Sequence, residues 1–311
     1  MNPKIEAILN DFKTGSQRAL SRLITLAENG DSSLYPAMTA LFEKVGQSRV
    51  LGITGPPGAG KSTLIGAFIK EIRQRGQTVA VVAVDPMSPI TGGALLGDRI
   101  RLSEFFTDDG VFIRSLSTRG RMGGLSRASR QVVHLVDAFG FDYVLFETVG
   151  VGQNEVDVRQ IVDVSLVVLV PEAGDGIQTL KAGLLEVGDF FTVNKSERDG
   201  AQKIGSELKE MLHMSGKPER VYFTTQTKAS SYSELLKGVD EFFNQHSDLV
   251  SERRLLGAQS TASLILKSIL WEELERWVAS EMSGEENPYA YVEKFLQKTS
   301  FSELLKHVSK K

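Results

Sequence analysis

Short unbroken apolar runs recur through the middle of the chain, at residues 50–54, 79–84, 111–113, 143–146, 164–170, 190–193 and 221–223, with longer polar or helically spaced stretches between them. Strands buried on both faces read this way, so the pattern predicts an α/β protein with a mostly parallel central sheet flanked by helices. Residues 63–75 carry Leu64, Ile65, Phe68, Ile69 and Ile72 at helical spacing. The first 46 residues are helical in pattern as well, with Ile5, Ile8, Leu9 and Phe12 followed by Ala19, Leu20, Leu23, Ile24 and Leu26. Gly15-Ser16 and the Gly30–Ser33 stretch punctuate them. Beyond about residue 226 the apolar runs stop, and residues 233–243, 251–280 and 287–305 read as helices. Leu264, Ile265, Ile269, Leu270, Leu274 and Trp277 form a stripe that suits either packing on the chain's own domain or a dimer face. The expected organisation is a helical extension at 1–46, a nucleotide domain at 47–230 and a helical C-terminal arm at 231–311.

Composition narrows the classes. The chain has 311 residues, 24% of them charged, and a formal net charge of −3, so no basic excess points to nucleic acid. It contains no cysteine, which excludes disulfides and thiolate metal sites, and its four histidines show no ligand spacing. No apolar stretch approaches the roughly 20 residues of a membrane span. The acidic, run-free start, Met1-Asn2-Pro3-Lys4-Ile5-Glu6, resembles neither a secretion signal nor a transit peptide. A soluble cytoplasmic protein is therefore expected, with neither nucleic acid nor membrane as a partner.

The chemistry sits in Gly55-Pro56-Pro57-Gly58-Ala59-Gly60-Lys61-Ser62, a complete G-x-x-x-x-G-K-S phosphate loop between an apolar strand and a helix. Glycines let backbone N–H groups turn inward around a phosphate, and the helix N-terminus adds partial positive charge. Lys61 can reach the β- and γ-phosphates, and the Ser62 hydroxyl can bind Mg²⁺. Residues 55–62 with Thr63 are thus the expected phosphate-binding set, and the fold class narrows to a P-loop NTPase with helical N- and C-terminal extensions.

Acids at strand ends refine this. Asp85 ends the second apolar run at the carboxyl edge, where open α/β sheets bind ligands. Asp98 closes a glycine-containing loop, where it also suits an N-cap. Glu147 ends the fourth run and is followed by Thr148-Val149-Gly150-Val151-Gly152-Gln153. An acid there holds Mg²⁺, and Gly150 can bring a backbone N–H to the γ-phosphate. Asn194-Lys195-Ser196-Glu197 stands where GTPases carry N-K-x-D, so Asn194 and Lys195 would brace the ring while Glu197 accepts from guanine N1–H and N2–H₂.

Together with Asp85-Pro86-Met87-Ser88-Pro89, Leu96-Gly97-Asp98-Arg99, Thr118-Arg119-Gly120 and Glu147-Thr148-Val149-Gly150-Val151-Gly152-Gln153, these motifs closely resemble the MeaB/ArgK family. These are GTPases associated with methylmalonyl-CoA mutase and include the cobalamin A-type G-protein chaperones. The resemblance implies a GTPase that uses GTP/GDP and Mg²⁺, is slow alone and is stimulated by its partner. That partner would be an adenosylcobalamin-dependent acyl-CoA mutase, whose cofactor loading the protein gates and which it protects. It further implies that Lys61, Asp85, Asp98 and Glu147 serve catalysis, that Ser62 joins the three acids around the metal, that the segment from Glu172 to Lys181 is a third switch, and that the C-terminal helices form a homodimer. Two departures fall on the base side: Glu197 replaces the family's Asp, and Thr225-Gln226 replaces its Ser-Ala pair in the last base-contacting loop. Three other readings remain: a P-loop kinase with Arg119, Arg121, Arg127 and Arg130 as a lid, a metallocentre-assembly GTPase, and a nucleotide-dependent scaffold without turnover.

Overall fold

Seven strands, β1 (Arg49–Thr54), β2 (Val79–Asp85), β3 (Val111–Ser117), β4 (Tyr143–Glu147), β5 (Val164–Leu169), β6 (Phe190–Asn194) and β7 (Val221–Thr224), hydrogen-bond in the order β3-β2-β4-β1-β5-β6-β7. Every pairing is parallel. The structure is a computed structural model that describes residues 2–85, 102–117, 124–148, 158–171 and 185–282. It divides into two compact units, Met1–Ala258 and Gln259–Lys311.

The apolar runs form strands because both sheet faces are covered. Leu51, Ile53, Val79, Val81, Leu145, Leu166 and Val168 pack with Leu64, Phe68 and Ile72 of α4 (Lys61–Gln74) and Leu235, Val239 and Phe242 of α7 (Ser230–Gln245). The alternate positions Val50, Ala80, Val82, Val144 and Phe146 pack on the other face with Val132, Val133 and Val136 of α5 (Gly124–Phe139). α6 (Ala201–Met214) covers β6 through Leu208 and Leu212. The first helices, α1 (Pro3–Lys13), α2 (Gln17–Asn29) and α3 (Tyr35–Leu41), join the α5 side of the core through Leu9, Phe12, Leu20, Leu23 and Ile24. Phe12 meets Phe139 edge-on at 5.1 Å between ring centroids. α2 starts on a Ser16 cap, whose hydroxyl accepts from the Ala19 N–H at 3.3 Å, and stops at Gly30, whose φ of +68° suits a left-handed cap.

Charged staples close the edge opposite the strands' carboxyl ends. Asp240 of α7 accepts from Arg49 at 2.7 Å, from the Tyr143 hydroxyl at 2.6 Å and from Arg75 at 2.7 Å. Burial, then Asp240, pushes the Tyr143 hydroxyl up to about 12. α8 (Ser247–Met282) begins in the first unit, where Arg253 grips Asp189 through two bonds of 2.8 and 2.9 Å. Its neighbour Arg254 holds Asp163 and reaches the carbonyls of Gly46 and Ser48. Burial pushes the Asp163 carboxyl up, and the Arg254 guanidinium opposes that shift. In the second unit the continuing α8 exposes Leu266, Ile269, Leu270 and Trp271. Among the described residues no helix is long and apolar enough to cross a membrane.

Candidate functional site

Parallel strands place all their carboxyl ends on one edge, and the candidate residues gather there. The phosphate loop leaves β1 at Gly55 (φ +145°) and enters α4 through Gly58 (φ +76°) and Gly60 (φ +87°). Two of these glycines are also required by close approach. A Cβ at Gly55 would stand 2.1 Å from the Val168 carbonyl oxygen, and one at Gly60 would stand 2.3 Å from Asn194 Nδ2. Lys61 Nζ donates to the carbonyls of Gly55 (2.9 Å) and Pro56 (3.3 Å), which keeps the ammonium over its own loop.

Ser62 opens α4 beneath the loop, and its hydroxyl donates to Glu147 Oε1 at 3.4 Å. The serine is 6% exposed and the glutamate 7%. Glu147 stands opposite Ile53 in the β1–β4 register, so its side chain shares the α4 face. Two buried oxygen donors on converging elements are a hard ligand set of the kind that Mg²⁺ takes with the remainder supplied by phosphate and water, so the residues present fit the ion. Among the described residues no group of three or more His, Cys, Asp or Glu side chains is placed to hold a metal by itself. β2 brings Asp85 to the same edge, two positions beyond Ala83, which pairs with Glu147. Asp98, Gly150 and the 172–181 segment lie outside the described residues, as do Arg119 and Arg121. Arg130 is buried in α5 and donates to Gln160.

The residues expected on the base side lie at the ends of β6 and β7. Asn194 Nδ2 donates to the Ala59 carbonyl at 2.8 Å, and Lys195 Nζ donates to the Gly58 carbonyl at 2.9 Å. These bonds hold the carbonyl side of the loop, and in a trans peptide that turns the Gly60 N–H the opposite way. The amide of Asn194 is itself oriented, because its Oδ1 accepts from Thr224 Oγ1 at 3.1 Å. With its own proton donated to Asn194, the Thr224 hydroxyl accepts from the Thr192 hydroxyl across the 2.9 Å contact between them. Sequence reading did not find Thr192 and Thr224, whose signal is one hydroxyl inside an apolar run and another directly after one. Lys195 has φ +57°, a left-handed conformation held by Ser196 N–H donating to the Thr224 carbonyl at 3.1 Å.

Glu197 and Thr225, the two base-side departures, are neighbours. The Thr225 hydroxyl beside Glu197 holds its carboxyl below the ordinary range. The Thr225 backbone is fixed by Ser231, whose hydroxyl accepts its N–H at 3.1 Å, while Gln226 is exposed. The expected phosphate, metal and base residues that the structure describes thus share one edge, with Asn194 and Lys195 bonded directly to the phosphate loop.

The family described as "Methylmalonyl Co-A mutase-associated GTPase MeaB" matches residues 20–282. A protein of Pyrococcus horikoshii is 39% identical over 310 residues, covering 94% of this chain and 98% of its own length. The Escherichia coli protein named "GTPase ArgK" is 33% identical over 282 residues, covering 88% of this chain and 82% of its own. The crystal structure titled "LAO/AO transport system kinase" superposes with a TM-score of 0.68 at 24% identity, covering 99% of this chain and 97% of that one, a likeness of fold.

Proposed function

The chain belongs to the MeaB family of GTPases, and on that premise we propose that it is a G-protein chaperone for an adenosylcobalamin-dependent acyl-CoA mutase of the methylmalonyl-CoA type. The observation that carries this reading is the family match across residues 20–282. The site geometry supports the nucleotide half of it. GTP would lie along the carboxyl edge, with its phosphates at 55–63 and its base between the 194–197 and 225–226 segments. Lys61 would exchange the carbonyls of Gly55 and Pro56 for β- and γ-phosphate oxygens, delivering a fixed positive charge where negative charge is densest. Ser62 and Glu147, joined by Asp85 and Asp98, would hold Mg²⁺, which when bound supplies charge neutralisation at the phosphates. Glu197 would accept from guanine N1–H and N2–H₂, a donor pair adenine lacks, with Thr225 steadying its carboxylate.

Asn194 and Lys195 are bonded to the same loop that would hold the phosphates, so base occupancy and loop geometry are mechanically joined. In this reading the protein works as a homodimer through its C-terminal helices, in the cytoplasm, and signals its nucleotide state to the mutase during cofactor loading and protection. The test is phosphate release from GTP and from ATP, with and without a purified adenosylcobalamin-dependent mutase. The reading expects slow GTP turnover that rises sharply with the mutase. Preference for ATP, or indifference to the mutase, overturns it.

A further inference from the structure

The side-chain hydroxyls of Thr54, Thr148 and Ser129 are buried and make no hydrogen bond to any group of the described residues. Thr54 is fully buried, Ser129 is 1% exposed and Thr148 is 7% exposed. Two of them flank the site. Thr54 is the last residue of β1 and directly precedes Gly55, while Thr148 directly follows Glu147. The β1–β4 ladder pairs Ile53 with Glu147, and the Thr148 N–H donates to the Ile53 carbonyl at 3.1 Å, so Thr54 and Thr148 come next in register. Side chains in the same register position of parallel neighbours point the same way, and adjacent strands lie about 4.8 Å apart. The two hydroxyls therefore share the face opposite Glu147, close enough for one bridging oxygen to serve both. Ser129 faces the same layer from α5, on the helical row of Val132, Val133 and Val136.

An unsatisfied buried hydroxyl is costly, and valine fills the same volume at no such cost. β1 and β4 are otherwise apolar at the buried positions of this face: Val50 and Gly52 on one, Val144 and Phe146 on the other. A polar side chain at the last position of β1 and another just past the end of β4 are thus unexplained by the described residues, yet each adjoins a residue that the nucleotide would engage. We propose that Thr54 and Thr148 are positioning residues for GTP turnover. Their hydroxyls gain a common hydrogen-bond partner when the strand ends take up the triphosphate-bound arrangement, and they lack it otherwise. Part of the discrimination between GTP and GDP is then carried by hydrogen bonds made on the side of the sheet away from the phosphates. This rests on the GTPase reading above.

The test compares Thr54→Val, Thr148→Val and the conservative Thr148→Ser with the full-length wild type. It measures thermal midpoint without nucleotide, Kd for GDP and for a non-hydrolysable GTP analogue, and kcat. The expected result is an unchanged or raised midpoint, unchanged GDP affinity, analogue affinity and kcat each lowered about tenfold, and recovery in Thr148→Ser. A lowered midpoint with wild-type discrimination would mean that the hydroxyls serve the resting fold, for instance through a resident water, and overturns the proposal. Valine variants that match wild type in every readout overturn it as well. If wild type itself releases no phosphate from GTP even beside the mutase, the GTPase reading fails instead, so the two failures are told apart.

Discussion

Lys61 shows how a single side chain can be poised by its own loop. Its ammonium bonds to two loop carbonyls, so it is held at the loop before any phosphate arrives. Lys61→Ala removes that charge, and phosphate release from GTP is expected to fall about a hundredfold, as when one preorganised electrostatic donor is lost. A variant with wild-type turnover would remove Lys61 from the chemistry. Glu197 is testable by base choice. Glu197→Ala leaves guanine's two donors unmatched, so GTP affinity should fall about tenfold or more while ATP affinity stays put. Binding of ITP, which lacks the N2 amine, should change less than that of GTP. Equal losses for GTP and ATP would show that Glu197 supports the loop and does not read the base.

Among elements, the most consequential packing is the attachment of α7 and the start of α8 to the far edge of the sheet. Asp240 is the junction for α7, with only 13% of its side chain exposed and three donors converging on it. Asp240→Ala leaves Arg49 without its carboxylate and Arg75 with Glu71 alone. The expected cost is about 2–3 kcal/mol, below the roughly 3–5 for a fully buried pair because Arg75 is 32% exposed. Urea unfolding followed by circular dichroism would read it, and a loss under 0.5 kcal/mol, the usual spread for surface substitutions, would contradict the junction role.

Tyr143 supplies a pH signature at the same junction. Its folded pKa is raised to about 12 from an unfolded value near 10, so the protonated form is the one the fold favours. The sign follows directly: this contribution is fully present below about pH 10 and is lost as pH rises toward 12. Tyr143→Phe should therefore lose less stability than wild type between pH 10 and pH 12, measured as thermal midpoints across that window. Parallel curves for the two proteins would refute the coupling.

At the scale of the whole molecule, the second unit presents Leu266, Leu270 and Trp271 at 62%, 49% and 61% exposure on one helix. Such apolar surface on a charged helix suits a second copy of the chain. Leu266→Glu with Leu270→Glu is expected to convert a dimer to a monomer in light scattering while leaving unstimulated phosphate release from GTP unchanged. A wild-type chain that is monomeric at micromolar concentration would refute the dimer reading.

What the sequence determined by itself was everything that consecutive residues build. The phosphate loop is eight neighbours between a strand and a helix, and the strands are unbroken apolar runs because both faces of a parallel sheet are buried. Both were legible, and the fold class followed from them. Legibility failed where partners are far apart in the chain. Asn194 and Lys195 meet the loop across separations of 135 and 137 residues, and Arg254 reaches Gly46 across 208. No periodicity records such pairings, since they depend on strand order, and the order β3-β2-β4-β1-β5-β6-β7 is not the chain order. Only the tertiary structure could put Glu197 beside Thr225, make Thr192 and Thr224 the holders of an amide, and set Thr54 next to Thr148 with no bond to either hydroxyl from the described residues. Those are decisions of register and strand adjacency, and they exist only once the sheet has formed.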